Sequence, residues 1–162
     1  MNIEIRRRKR KSLAFRLTPD GAVVLVPETL DAASPRVQAF IAEALAKLPH
    51  ADEAPGDLQP DDLRHLIDAW EQRLRVKAGR LQIRAMKNKW GSISTAGTLT
   101  LSDDLLQLPL DLVEYVVVHE LLHLKFPDHR KGWQVSMGMY LPSWRERAYR
   151  LQQYILRRER QI

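Results

Sequence analysis

The amino-acid sequence predicts a small α+β fold with two β-hairpins forming a small sheet packed on a core helix. Two kinds of apolar periodicity predict it. Period-two alternation recurs around residues 13–17, 22–26, 81–85 and 98–101, and helical spacing runs through most of the rest. The length of 162 residues suits one domain with a single core. We therefore expect residues 1–162 to form one unit, with a basic strand and hairpin over 1–30 and the chemistry within 80–162.

In order along the chain, Leu13, Phe15 and Leu17 alternate with Ala14 and Arg16, which reads as a half-buried strand. Pro19-Asp20-Gly21 is a turn signal, and Ala22 to Val26 is the returning strand. Ser34-Pro35 opens a helix to about Leu48, with Val37, Phe40, Ile41, Ala44 and Leu45 on one face. Residues 49–60 hold three prolines, a glycine and several acids, a linker composition. Asp61 or Asp62 starts the next helix, which buries Leu63, Leu66, Ile67, Trp70 and Leu74 and which Gly79 is expected to close. The strands at 81–85 and 98–101 are expected to pair as a second hairpin across Ser94-Thr95-Ala96-Gly97. A helix follows Pro109 to about Leu124. Pro127 interrupts, a shorter helix covers about His129 to Met139, and a last one carries Trp144, Ala148, Leu151 and Ile155 on one side.

Composition excludes several classes. Hydrophobic residues make up 44% and charged residues 28%, an ordinary globular balance. No stretch reaches the ~18 apolar residues of a membrane span, and none of signal-peptide length follows the basic N-terminal cluster. There are no cysteines, so any metal must be held by imidazole or carboxylate. A cytoplasmic location is the expectation. The net charge of +6 is local: six of the 26 basic residues are Arg6 to Lys11, and the remaining 20 match the 20 acids. Such a run either attracts phosphate backbones, which makes nucleic acid a candidate partner, or lies on a solvated strand.

The chemistry lies in His119-Glu120-Leu121-Leu122-His123, inside the helix after Pro109. At helical spacing, histidines at i and i+4 share a face and can reach one ion, while the glutamate between them reaches a water beside it. Val113, Val116, Val117, Val118, Leu121, Leu122 and Leu124 make this helix apolar nearly all round. Polar groups embedded in it are costly without partners. The alternative is a pair of core histidines hydrogen-bonded within the protein. A third ligand is expected from His129, six residues after His123 and just past the Pro127 break; Asp128 and Glu114 are fallback ligands. His50 and His65 fall in the linker and on a polar helix face. Tyr140, Lys131 and Arg130 are candidate oxyanion donors.

The stretches Met86-Lys87-Asn88-Lys89-Trp90-Gly91-Ser92, Gly97-Thr98-Leu99 and Tyr115 to Leu124, followed by His129 and Trp133, resemble the YgjP-like metallopeptidase family, a relative of the SprT-like zincins. The resemblance is densest from about Arg84 to Trp144. It implies a zincin-like fold, zinc held by His119, His123 and His129, and Glu120 as general base. The chain departs from the family pattern at Ile93, where the family has Cys, and at Gly132, where it has Phe; the region from Pro49 to Asp61 looks shortened.

The expected activity is therefore zinc-dependent hydrolysis of peptide bonds. Zinc would activate a water, and Glu120 would take its proton. Trp90, Gly91 and Ser92, in the hairpin before the helix, are expected to bind an extended peptide or protein substrate, with a core role as the alternative for Trp90. Two other classes compete: a zinc-dependent nucleotide hydrolase, which the lack of a glycine-rich phosphate loop disfavours, and a DNA-associated SprT-like protease, which the lack of a recognisable nucleic-acid module disfavours.

Overall fold

The computed structural model describes residues 2–18, 21–47 and 56–160. The turn expected at Pro19-Asp20, Leu48, His50 and the linker as far as Pro55 lie outside the described residues. The fold is α+β, and the chain divides into two compact units, Met1–Asp52 with Arg145–Ile162, and Glu53–Trp144. Among the described residues no helix is long and apolar enough to cross a membrane.

In the first unit, β1 (Asn2–Arg8), β2 (Ala14–Thr18) and β3 (Gly21–Pro27) form a sheet in the order β1-β3-β2. The hairpin read at 13–26 is there: β2 runs antiparallel to β3, with Phe15 opposite Val24. Period-two alternation sends Val24 and Val26 of the central strand inward. They meet Val37 and Ile41 of helix α1 (Pro35–Ala46), one turn apart on its buried face, with Phe15 and Phe40 packed alongside. The basic run becomes the edge strand β1, parallel to β3, and continues past its end. Arg6 pairs with Glu4 at 2.6 Å, and Arg7 donates to the carbonyls of Glu28 and Leu30 at 3.0 and 2.9 Å, tying the strand to the segment after β3. Helix α5 (Trp144–Arg160) ends the described chain, with Ala148 and Leu151 buried on one side.

The second unit opens with α2 (Pro60–Leu74). Pro60 takes the first helical position, and a reciprocal box between Gln59 and Asp62 caps the start: the Asp62 carboxylate accepts the Gln59 N–H at 2.9 Å. The helix ends at Leu74 rather than near Gly79. Arg75 adopts the left-handed conformation at φ 55°, and the Val76 N–H reaches back to the Glu71 carbonyl at 3.0 Å. The buried Glu71 carboxylate then takes the Ala78 N–H at 2.9 Å and the Lys77 ammonium at 2.6 Å. A side chain thus draws the chain off the helix before the glycine is reached.

Strands β4 (Arg80–Arg84), β5 (Gly91–Ile93) and β6 (Thr98–Ser102) make a second sheet in the order β4-β6-β5. Here the expected pairing is corrected. The strand at 80–84 does lie beside 98–102, but parallel to it; the hairpin partner of β6 is the three-residue β5. The Ser94–Gly97 turn therefore joins β5 to β6, and Gly97 supplies the positive φ of 85° that it requires. A strand of three residues is too short for alternation to betray it. The two hairpins accordingly sit in two three-stranded sheets.

A 3-10 turn (Asp103–Gln107) leads through Pro109 into α3 (Leu110–Leu122), and α4 (Lys131–Tyr140) follows after a loop. Leu112, Val113, Val117, Val118, Leu121 and Leu122 of α3 are buried, so this helix is the core of its unit. Leu121, fully buried, is expected to lose about 2–5 kcal/mol of stability on truncation to Ala. Val135→Ala, on the outer face of α4 and 52% exposed, should stay within about 0.5 kcal/mol. Urea unfolding of the two variants beside the parent checks the contrast.

Candidate metal centre

The i, i+4 spacing on α3 places the His119 and His123 rings 5.1 Å apart between centroids. His123 is the residue at which the helix ends, so the chain is free to turn immediately after it. The loop from Leu124 to Arg130 folds back and brings the His129 ring to 4.8 Å from His119 and 4.6 Å from His123. One ring nitrogen from each of the three lies within 4.8 Å of the others, and the Nε2 atoms of His119 and His129 are 2.9 Å apart. His129 stands in the loop before α4 rather than in its first turn, and Gln134 holds it there by donating to its carbonyl at 2.9 Å.

What surrounds the rings decides which nitrogen each one presents. His123 Nδ1 is 2.9 Å from the Phe126 carbonyl oxygen. A carbonyl only accepts, so Nδ1 carries the proton and Nε2 is the nitrogen left for another partner. His119 Nδ1 lies 3.2 Å from the hydroxyl of Tyr115, one turn earlier on the same face. Both contacts belong to the outer layer that typically orients metal-ligating imidazoles. Beneath all three rings lies Trp133, fully buried, with centroids 4.8, 6.1 and 4.7 Å from His119, His123 and His129. Trp144 supports it from behind in an edge-to-face contact at 5.4 Å.

The Phe126 carbonyl is itself held in place. A Cβ on Gly132 would stand 3.0 Å from two carbons of the Phe126 ring, so the ring occupies the space a side chain at 132 would need. The departure from the family pattern at Gly132 is thus filled by a phenyl ring from six residues earlier.

Burial holds the His119 imidazole down to about 3, with the neighbouring His129 and His123 adding in the same direction, so the ring is neutral at ordinary pH. Burial pushes the Glu120 carboxyl up to about 7, against the opposing pull of Lys89 and a backbone hydrogen bond from Ile93. Lys89 is a neighbour that periodicity could not have picked out. Three imidazole nitrogens closing on one point, two of their rings held by orienting partners, fit a metal ion, and the cysteine-free composition fits an all-imidazole ligand set.

The other candidates are engaged elsewhere. Asp128 pairs with Arg130 at 3.2 Å and accepts its N–H. Glu114 accepts the Trp70 indole N–H at 3.1 Å, and Tyr140 packs edge-on against Trp70. His65 is exposed on α2, and Lys131 is exposed at the start of α4. Of the three residues read as substrate-binding, Gly91 comes closest to the site. A Cβ there would meet Glu120 Cγ and a Leu101 methyl at 3.0 Å and a Val116 methyl at 3.3 Å, so the backbone of β5 lies directly on α3. Trp90 is buried, and strand alternation turns Ser92 to the face opposite Gly91. Ile93, on the same face as Gly91, takes the place beside Glu120. Tyr115 and Phe126 escaped the reading of ligand types, although the i−4 spacing of Tyr115 from His119 was a visible signal.

No curated protein matches the chain. Among solved structures, the metallopeptidase zymogen abylysin of Pyrococcus abyssi is 25% identical over 59% of this chain and 93% of its own, with a TM-score of 0.50. The metallopeptidase zymogen jannalysin of Methanocaldococcus jannaschii is 24% identical over 49% of this chain and 82% of its own, with a TM-score of 0.47. The model of the YgjP-like metallopeptidase domain matches residues 57–154, more than half of the chain, which therefore belongs to the YgjP-like metallopeptidase family.

Proposed function

We propose that this protein is a zinc-dependent peptidase of zincin type, with His119, His123 and His129 as ligands and Glu120 as general base. The observation that carries it is the convergence of the three imidazoles within 4.8 Å, with Nδ1 of His123 fixed on a carbonyl. Zinc, when bound, supplies Lewis-acid polarisation of the scissile carbonyl and an acidified water.

The chain's own residues do the rest. Glu120 follows His119 on α3, and its carboxylate is oriented by the hydrogen bond from Ile93. It receives the proton of the attacking water on a carboxylate oxygen and delivers it to the departing amide nitrogen. Gly91 allows β5 to lie against the Glu120 stem without a side chain between them. Trp90, Ser92 and Ser94 face β6: Trp90 accepts the Ser102 N–H at 2.8 Å, and Ser94 donates to Thr98 at 3.0 Å. The peptide groups of Gly91 and Ile93 therefore point off the outer edge of β5. With the Ile93 N–H given to Glu120, an extended substrate lying along that edge would be held by the Gly91 peptide group and the Ile93 carbonyl, with little demand on its sequence. This favours a peptide over a nucleotide as the substrate. Trp133 and Tyr115 bind nothing directly; they hold the imidazoles.

His129→Ala should lose stoichiometric zinc, whereas Glu120→Gln should keep it and lose casein hydrolysis; metal analysis beside the hydrolysis assay checks both. Retention of full activity in Glu120→Gln would remove the general base assigned here. Tyr115→Phe, which deletes the hydroxyl at His119, should weaken metal affinity by roughly 10–100-fold. Because Trp133 lies against all three rings, titration with a quenching ion such as Cu2+ followed by tryptophan fluorescence reads that affinity without any substrate. Gly91→Ala should lower stability by about 1–3 kcal/mol through overpacking and lower kcat while leaving the zinc content unchanged.

A further inference from the structure

Beside the three histidines the second unit has a cavity of about 450 Å3 that the mechanism above does not use. His123 and His129 form one wall. Ile93, Leu124 and Pro127 supply apolar surface, and Ser94 and Thr95 of the β5–β6 turn complete the lining. No Asp, Glu, Lys or Arg side chain is among these lining residues. Its volume lies within the roughly 300–1,000 Å3 of typical ligand pockets.

We propose that this cavity is the specificity pocket of the peptidase, and that it takes a neutral, apolar side chain of the substrate next to the scissile bond. The inference rests on the peptidase reading and adds a substrate class to it. Three features support the assignment. The first is position: the wall includes two proposed ligands, so whatever fills the cavity is adjacent to the reacting carbonyl. The second is rigidity. Ile93 is tied to Glu120 by its backbone hydrogen bond and to Leu99 by the β5–β6 ladder, so the pocket wall and the general base keep a fixed relation. The third is chemistry. A charged side chain entering would lose hydration with no acidic or basic side chain of opposite sign to receive it beyond the two histidines, whereas an apolar one gains about 25 cal/mol for each Å2 it buries. Alternation along an extended peptide at the β5 edge brings every second side chain to this face.

The test uses the zinc-loaded full chain and internally quenched peptides that vary one position at a time among Leu, Asp and Lys. The expected result is one position at which kcat/KM for Leu exceeds that for Asp and for Lys by about tenfold or more. At that same position, Thr95→Lys, an exposed turn substitution, should raise the rate for Asp, and Leu124→Glu should raise it for Lys. Hydrolysis without such a position, or a preference that neither variant moves, overturns the pocket and leaves the peptidase reading standing. Absence of hydrolysis of every peptide overturns the peptidase reading, and the pocket is then decided by binding. N-acetyl-leucinamide should perturb the amide signals of Ile93, Thr95 and Leu124 where N-acetyl-aspartate amide does not; equal or absent perturbation overturns it.

Discussion

Burial of α3 is the constraint on which the rest of the second unit depends. A helix that is apolar on nearly every side fixes its own axis firmly in the core, and that makes it a precise platform for side chains. The same burial leaves an imidazole pair and a carboxylate with few water molecules to satisfy them, so each must find a protein partner or a ligand. Tyr115 serves His119 from within the helix, and the Phe126 carbonyl serves His123 from just beyond it. Ile93 serves Glu120 from the adjacent strand. The ring nitrogens left over are the ones that converge. The clustering of the three imidazoles is thus a consequence of how the core satisfies its polar groups, rather than a feature added to the surface.

The sequence displayed the parts of this arrangement that follow from periodicity. The helices came through because each has a buried face repeating every three to four residues, as Val37 and Ile41 or Leu63, Ile67 and Trp70 do. The pairing of the two α3 histidines was legible because i, i+4 spacing on a helix is itself a statement about geometry. The third histidine could be reached because Pro127 must break the helix close behind His123.

What stayed hidden depends on contacts between distant segments. The end of α2 is set by the buried Glu71 carboxylate taking the Ala78 N–H, which no local propensity announces. The parallel pairing of β4 with β6 hinges on β5, three residues long and opened by a glycine. Gly91 reads as a strand breaker in isolation, yet the structure needs it because backbone must approach Glu120 closely. Trp133 reads as core from its helical face and is core; only the fold-back of the 124–130 loop makes it also the floor of the metal centre.

The Phe126 ring over Gly132 has an evolutionary corollary. Positions 126 and 132 share one volume, so they are free to vary only as a pair: a larger residue at 132 is accessible to a lineage in which 126 has already become smaller. The reverse order puts two groups into the space of one, beside the carbonyl that orients His123. Relatives that place a bulky side chain at the position of Gly132 must therefore reach the same imidazole orientation with a differently filled loop. The two positions should covary across the family even though neither one touches the substrate or the metal.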